Sequence, residues 1–262
     1  MKVLNQYWEL NSFFRALSKT KQRLLMLDYD GTIAPFKVNR MEAFPYPEVS
    51  TLLEKLIKTQ ITRVVIVTGR QISDLFQIFN LSKTLEIWGS HGLERLTPDG
   101  KYQVTELDQV QLDGLEKAKE LFDKLGLTKQ SEMKVGCIAL HWRGLDLQDI
   151  ESIYENTVSS LRSISNKYRL GFYSFNGGLE LRSPKRNKGF AVKQILSDMQ
   201  QNSLSAYLGD DLTDEYAFKA IKNKGLAILV SSEQKFTDAD ICLETPLEVV
   251  DFFQRWVDTE SR

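Results

Sequence analysis

Aspartates in two groups are the most informative chemical feature of this chain. Asp28 and Asp30 stand two residues apart near the start, and Asp210, Asp211 and Asp214 form a second group near the end. Gathered in one place, these carboxylates would repel one another unless a cation lay between them. Oxygen ligands of this kind are what Mg²⁺ prefers in proteins. The sequence therefore predicts a magnesium site suited to phosphate chemistry.

The order of the acids suggests a role for each. We expect Asp28 to attack phosphorus and form an aspartyl-phosphate, with its second oxygen on the metal. Asp30 would protonate the leaving oxygen and then deprotonate the attacking water. Asp210 is the best further magnesium ligand because it comes first after its apolar run. Asp211 or Asp214 would orient metal-bound water or hold a lysine.

Two further runs are expected to bind phosphate. Gly31 and Thr32 would turn the backbone tightly, so that N–H groups face the phosphoryl oxygens. In Thr68-Gly69-Arg70 a hydroxyl and backbone amides at a helix start would form a cradle for the anion. Arg70 is expected in the first helical turn, where a cation opposes the helix dipole. A bound anion would remove that penalty.

Lys188 is the second cation expected at the start of a helix. A lysine that reaches both the phosphate and the nucleophile would explain its position. Each motif taken alone also has a plainer interpretation. The Asp-Gly pair marks turns in many proteins, and Arg70 could face solvent. Lys185 and Arg186 fit a basic surface loop, and the run 213–215 fits a helix cap.

The elements that must position these residues alternate between strand and helix. Apolar runs at 24–27, 64–67 and 206–208 precede the three motifs and predict buried parallel strands. In open α/β sheets functional residues collect beyond the carboxyl ends of such strands. Further predicted strands cover 86–88, 135–142, 169–174, 179–182, 226–230 and 240–243, and helices cover 49–58, 71–79, 112–125, 147–164, 188–199, 213–222 and a last segment after Pro246.

The pattern predicts two domains. Residues 1–105 and 184–262 would form an α/β core with a Rossmann-like parallel sheet, and residues 106–183 an inserted α/β cap of order α-β-α-β-β. A hairpin turn is expected at 176–178. Within 1–20 the pattern predicts an amphipathic helix whose apolar residues include Trp8, Phe14 and Leu17.

Composition excludes several classes of protein. The 262 residues contain 34 Lys plus Arg and 35 Asp plus Glu, so no polyanion-binding surface and no nucleic-acid partner are expected. Cys137 and Cys242 lie in apolar runs and are expected to be buried, with neither a disulfide framework nor a zinc site. No apolar run is long enough to span a membrane, and we expect a cytoplasmic location.

The motifs together resemble those of the haloacid dehalogenase (HAD) superfamily, and within it the trehalose-6-phosphate phosphatases. The matching runs are Asp28-Tyr29-Asp30-Gly31-Thr32, Thr68, Gly89-Ser90-His91-Gly92, His141-Trp142-Arg143, Leu179-Glu180-Leu181-Arg182, Lys188 and Gly209-Asp210-Asp211-Leu212-Thr213-Asp214-Glu215. The resemblance covers residues 24–256. It implies that magnesium is bound by Asp28, the backbone carbonyl of Asp30, and Asp210.

The resemblance also implies a sugar-binding role for the cap. Six charged or imidazole side chains match cap positions of the family, some of which bind the sugar: Glu132, Lys134, His141, Arg143, Glu180 and Arg182. Each also fits a surface or cap-stabilising role. Met133 and Trp142 depart from the family pattern, which usually has an acid and a tyrosine there.

The function expected from this resemblance is the Mg²⁺-dependent hydrolysis of trehalose 6-phosphate, with cap closure expelling water from the site. One alternative keeps the chemistry and changes the sugar to glucosylglycerol, sucrose or mannosylglycerate phosphate. Others are a mutase and a non-catalytic sugar-phosphate sensor. The sequence leaves open whether a synthase is a partner.

Overall fold

The computed structural model describes residues 1–5, 9–79, 85–175, 177–200 and 202–260. The chain divides into two compact units. The first unit is Met1–Gln103 with Asn187–Arg262, and the second is Val104–Arg186. In the described ranges no helix is both long and apolar enough to cross a membrane.

Thirteen strands form two sheets in the part of the chain that is described. In chain order they are β1 (Lys2–Val3), β2 (Arg23–Leu27), β3 (Thr62–Val67), β4 (Glu86–Gly89), β5 (Glu94–Leu96), β6 (Tyr102–Val104), β7 (Ser131–Lys134), β8 (Cys137–His141), β9 (Gly171–Phe175), β10 (Gly178–Arg182), β11 (Leu204–Gly209), β12 (Leu226–Val230) and β13 (Ile241–Leu243).

Eight α-helices connect these strands within the same described residues. They are α1 (Leu10–Leu17), α2 (Pro47–Thr59), α3 (Ile72–Ile78), α4 (Gln109–Lys124), α5 (Leu147–Lys167), α6 (Lys188–Ser197), α7 (Glu215–Ile221) and α8 (Pro246–Asp258). Four of them begin at a residue whose side chain accepts a backbone N–H of the first turn: Asp108, Asp146, Asn187 and Thr245. Such caps satisfy donors that the helix itself leaves unpaired.

The first unit is built on a sheet of order β1-β13-β12-β11-β2-β3-β4-β5-β6. The strands from β13 to β4 are parallel, as predicted. Leu25 and Leu27 of β2 pack in the cluster of α1, α2, α3 and α8, whereas Leu24 and Met26 pack with α6 and α7. Because helices cover both faces, the strand residues that come directly before each motif are apolar on both faces, and they form continuous apolar runs in the sequence.

The second unit contains an antiparallel sheet of order β7-β8-β10-β9. One face is apolar: Ile138, Leu140, Leu179 and Leu181 pack against α4 and α5. Side chains alternate between faces along a strand, so the residues between these four point to the opposite face. That opposite face carries the charged side chains of the sheet.

The predicted strand 135–142 is present as β8, Cys137–His141, but the strand before it was not predicted. The segment is part of a hairpin in which β7 and β8 are joined through Gly136, whose φ of 64° lies in the left-handed region. The order of the unit is therefore α-β-β-α-β-β. β7 was missed because its sequence Ser-Glu-Met-Lys is polar and lies at a sheet edge, where no alternation with apolar residues is required.

The N-terminal segment also differs from the prediction. The helix covers only Leu10–Leu17, and Lys2–Val3 instead pairs antiparallel with β13. Phe14 and Leu17 are buried, as expected, and Trp8 lies outside the described residues. Cys137 and Cys242 are both buried and free, which agrees with the sequence analysis.

Candidate functional site

The loop after β2 brings Asp28 to the end of the parallel sheet. Asp28 is 4% exposed, and its N–H donates to the Leu208 carbonyl of the neighbouring strand. Gly31 has φ of 76°, and a Cβ at this position would lie 2.4 Å from Oδ2 of Asp210. Position 31 therefore requires glycine for two reasons: its backbone is left-handed, and Asp210 approaches too closely for a side chain to fit.

Lys188 joins the two acidic groups. It is the first residue of α6, and it is 3% exposed. Its Nζ lies 2.9 Å from Oδ1 of Asp28 and 2.9 Å from Oδ1 of Asp214. The side chain of Asn187 caps the helix by accepting the Phe190 N–H, so the lysine begins a fixed element.

Asp28, Asp210 and Asp214 each offer an oxygen within 4.8 Å of the others. The three carboxylates have different surroundings. Both oxygens of Asp214 are used: Oδ1 accepts from Lys188 and Tyr207, and Oδ2 accepts the N–H groups of Asp210 and Asp211. Oδ1 of Asp210 is buried and has no hydrogen-bond partner among the described residues. Asp214 therefore positions the site, and Asp210 has an oxygen to offer a ligand.

The shifted pKa values of this cluster indicate that a cation would stabilise its ionised carboxylates. Burial, with further contributions from Asp214 and Asp30, raises the pKa of Asp28 to about 7 despite the contact with Lys188. Burial and the charges of Asp28 and Asp214 also raise the pKa of Asp210 well above its ordinary value. Burial lowers the pKa of Lys188, but Asp214 and Asp28 outweigh it and raise the value overall. Two closely placed carboxylates with an unused buried oxygen fit a hard divalent cation.

Asp30 and Arg70 form a pair that the sequence did not predict. Nε and Nη2 of Arg70 each donate to one carboxylate oxygen of Asp30, both at 2.7 Å. Arg70 is 5% exposed, so it is not a surface arginine. It also lies before helix α3, which is capped at Gln71 and begins at Ile72. The prediction that Arg70 lies in the first helical turn is therefore wrong, and Asp30 takes the place of the expected anion.

The other expected phosphate-binding residues lie in the loops after β2 and β3. Thr68 is 1% exposed, and its Oγ1 accepts the Arg70 N–H at 3.1 Å. The Thr32 hydroxyl is buried without a partner among the described residues. The N–H of Gly31 donates to Ala34 at 2.8 Å, and that of Thr32 to Tyr29 at 3.4 Å. Because these two N–H groups serve the turn itself, the expectation that they face a phosphate is wrong in this arrangement.

Tyr207 is a site residue that the sequence analysis missed. It lies on β11, it is fully buried, and its hydroxyl donates to Oδ1 of Asp214. A tyrosine inside an apolar run looks like a core residue, and the only available signal was its position three residues before Asp210. Asp211 is less central: its carboxylate accepts the N–H of Leu212 within the loop.

In the second unit, five of the six expected sugar-binding residues share the polar face of the sheet. Strand register places Glu132 and Glu180 opposite Ala139, and Lys134 and Arg182 opposite Cys137. His141 lies two residues further along the same face. The sixth residue, Arg143, is in the loop after β8, where a Cβ on Gly177 would lie 3.1 Å from its Nε.

These side chains contact one another. Nε2 of His141 lies 2.9 Å from Oε2 of Glu132, and both side chains are partly exposed. Nε of Arg182 lies 2.6 Å from Oε1 of Glu180, and both are buried. The Arg182 guanidinium also lies over the ring of Tyr173, 4.0 Å from its centroid. The first pair can reach a ligand in solvent, whereas the second pair braces the sheet.

Comparison with solved structures identifies the class of fold. The C-terminal domain of the Candida albicans trehalose-6-phosphate phosphatase is 18% identical, with a TM-score of 0.83 over 98% of this chain and 99% of that one. A haloacid dehalogenase-like hydrolase from Bacillus subtilis is 15% identical, with a TM-score of 0.56 over 88% of this chain and 98% of that one. The fold is that of the HAD-like hydrolases, as predicted.

Sequence comparison gives the family. The trehalose-phosphatase family model matches residues 26–246. A probable trehalose-phosphate phosphatase H of Arabidopsis thaliana is 32% identical over an alignment that covers 92% of this chain and 74% of that protein. The chain belongs to the trehalose-phosphatase family, a family of phosphoric monoester hydrolases, and the resemblance inferred from the motifs is confirmed.

Proposed function

We propose that this protein hydrolyses trehalose 6-phosphate to trehalose and inorganic phosphate, with Asp28 as the nucleophile and Mg²⁺ as the cofactor. The observation that carries the proposal is the contact of Lys188 Nζ with Asp28 Oδ1, 2.9 Å, beside the buried Asp210 and Asp214. In this arrangement the oxygen that would act as the nucleophile lies next to a fixed cation. Membership of the family supports the phosphate ester as substrate.

The reaction would proceed in two displacements on phosphorus. An oxygen of Asp28 forms a bond to phosphorus while the bond from phosphorus to the sugar oxygen breaks, and Asp30 gives its proton to that oxygen. Water then attacks the aspartyl-phosphate, Asp30 takes its proton, and the bond to Asp28 breaks. Lys188 neutralises charge on the phosphoryl oxygens in both steps.

Asp28, Asp210 and the backbone carbonyl of Asp30 are the groups that would bind Mg²⁺. The bound ion would supply charge neutralisation between the carboxylates and the phosphate dianion. Asp214 is excluded from this set because both of its oxygens already accept two hydrogen bonds each. Its role would be to fix Lys188.

The second unit would act as the cap that selects the sugar. The polar face of its sheet offers carboxylate, imidazole and cationic groups, which suit the hydroxyls of a disaccharide. Glu132 and His141 are the partly exposed members of that face and would contact the sugar. Glu180 and Arg182 are buried and would position them from beneath.

The direct test measures phosphate release in Mg²⁺ from a panel of esters: trehalose, sucrose, glucosylglycerol and mannosylglycerate phosphates. We expect trehalose 6-phosphate to have the highest kcat/KM by at least about 10-fold, since a sugar site built on hydrogen bonds discriminates strongly. A chelator should abolish release. If another ester had a higher kcat/KM, its sugar would be the substrate sugar instead of trehalose. Tight binding of an ester without phosphate release would indicate a sensor.

Asp28→Asn tests the nucleophile. We expect this variant to keep the thermal midpoint and the affinity for trehalose 6-phosphate while phosphate release is lost, because an amide cannot form the acyl-phosphate. Asp251→Asn is a matched control, since Asp251 is exposed on α8. Near-normal release by Asp28→Asn would exclude Asp28 as the nucleophile.

A further inference from the structure

The run Gly89-Ser90-His91-Gly92 has no role in the mechanism described so far, yet it is bound tightly to the loop Thr68-Gly69-Arg70. The N–H of Ser90 donates to the Arg70 carbonyl at 2.8 Å, and the N–H of His91 donates to the Thr68 carbonyl at 3.0 Å. Two successive amides thus hold two carbonyls of the 68–70 loop. That loop carries the residue that pairs with Asp30.

The two loops also approach closely, with the imidazole of His91 against Gly69. A Cβ on Gly69 would lie 2.6 Å from Cε1 and Nε2 of His91, and a Cβ on Gly89 would lie 3.0 Å from the Arg70 carbonyl oxygen. Only glycine fits at both positions. The position of the 68–70 loop therefore follows that of the 89–92 loop.

The 89–92 loop has an unusual backbone. Ser90 and His91 are buried, and both have positive φ, 46° and 55°. Consecutive left-handed residues other than glycine are strained, and they persist only where the surroundings enforce them. Strain of this kind collects at functional sites.

Glu94 contacts the side chain of the first left-handed residue of the turn. It is the first residue of β5, it is 2% exposed, and its Oε2 accepts the Ser90 hydroxyl. Its Oε1 accepts the Tyr102 hydroxyl at 2.7 Å. No Lys or Arg side chain pairs with Glu94 among the residues described. A carboxylate buried with hydroxyl donors alone is costly.

We propose that Glu94 is a positioning residue for the reaction: through Ser90 it fixes the left-handed 89–92 turn, and this turn places the 68–70 loop for phosphate binding. The inference rests on the proposed phosphatase chemistry, and it extends that chemistry to a residue that contacts neither phosphate nor metal. It predicts that Ser90 and Glu94 act as one unit.

The test uses Glu94→Gln, Ser90→Ala and the double variant, with inorganic phosphate as the probe. We expect the inhibition or dissociation constant of inorganic phosphate to rise about 10-fold in each single variant and no further in the double variant, since coupled residues are non-additive. Phosphate binding is measured without turnover, so this result is separate from the identity of the sugar. Full additivity, or unchanged phosphate binding, would overturn the proposal.

Ser90→Gly separates positioning from stability. Glycine removes the hydroxyl but accepts the positive φ, so we expect Ser90→Gly to unfold at a higher temperature than Ser90→Ala while binding phosphate no better. Thr97→Ala is the control: it removes hydrogen bonds from the turn between β5 and β6 without touching Glu94. Its phosphate affinity should be unchanged. Recovery of phosphate binding in Ser90→Gly would mean that the Ser90–Glu94 contact is not needed once the turn forms, and loss in Thr97→Ala would mean that any change near β5 weakens phosphate binding. Either result would overturn the role of Glu94.

Discussion

Arg70 binds both carboxylate oxygens of Asp30, through Nε and Nη2 at 2.7 Å each. The guanidinium also lies 5.3 Å from the ring centroid of Tyr29, the residue that separates the two aspartates of the first motif in the sequence. A planar fork that donates to both oxygens fixes the carboxylate in one orientation. The pair therefore sets the orientation from which Asp30 would carry out the proposed proton transfers.

Replacing Arg70 by Lys should separate charge from geometry. Lysine keeps the positive charge but cannot donate bidentately, so Asp30 loses its fixed orientation. We expect kcat/KM to fall about 10- to 100-fold, the range for a misplaced proton-transfer group. Steady-state kinetics and a thermal midpoint measure both effects. Arg15→Gln, which removes an exposed pair with Glu9 at the start of α1, should leave activity intact; equal losses in both variants would contradict this role for Arg70.

The hydroxyl of Tyr207 should contribute to both stability and turnover. Tyr207→Phe keeps the packing against Phe218 but leaves Asp214 with one donor fewer. We expect a loss of about 1.5–3 kcal/mol of unfolding free energy, as for a hydrogen bond to a charged group, and a lower kcat because Lys188 is less well fixed. Chemical denaturation and steady-state kinetics measure the two quantities.

Ser205→Ala is the matched control for Tyr207→Phe. Ser205 lies on the same strand, fully buried, and its hydroxyl has no partner among the described residues. Its removal leaves no other group unpaired, so it should not destabilise the protein. If Ser205→Ala lost as much activity as Tyr207→Phe, the loss would come from a disturbance of strand β11 and not from the missing contact with Asp214.

The α/β class and the catalytic loops could be predicted because they depend on local rules. Apolar runs buried on both faces, followed at once by Asp28, Thr68 or Asp210, specify parallel strands with polar residues at one edge. Strand β12 matches its predicted bounds, 226–230. The start of α6 at Lys188 was also predicted, because Asn187 provides the cap.

The missed features depend on contacts distant in sequence. The Arg70–Asp30 pair joins residues 40 positions apart, and neither residue carries a local signal for it. Strands β5 and β6 were missed because they are short and β6 is exposed, so neither has a clear alternation. The polar strand β7 was missed for the same reason. Tertiary context outweighs propensity at such edges.

The two charged pairs of the second unit should give different phenotypes. Glu132→Gln and His141→Ala alter partly exposed groups, and we expect them to raise KM for trehalose 6-phosphate about 10-fold, the effect of one lost sugar hydrogen bond. Hydrolysis of a small aryl phosphate, which has no sugar to bind, should be unchanged.

Arg182→Gln should act on the fold of the second unit instead. Removing the guanidinium takes away the cation that contacts the buried carboxylate of Glu180, so we expect a loss of about 3 kcal/mol or more of unfolding free energy. Denaturation curves followed by fluorescence test this expectation. A stable Arg182→Gln protein with a selective loss of sugar affinity would instead place Arg182 in direct contact with the substrate.

The free energy of unfolding should depend on pH without metal, and the stabilisation by Mg²⁺ should increase with pH. The pKa of Asp28 is raised by burial from 3.8 to about 7, so the folded chain without metal binds the proton more tightly than the unfolded chain. Stability without metal should therefore fall as pH rises from about 4 to about 7 and level off above. Mg²⁺ binds the ionised carboxylates, and its addition should raise the thermal midpoint more at pH 8 than at pH 5. Asp210→Asn should abolish this difference and Asp251→Asn should preserve it; an equal effect of Mg²⁺ at both pH values would mean that the cation binds elsewhere.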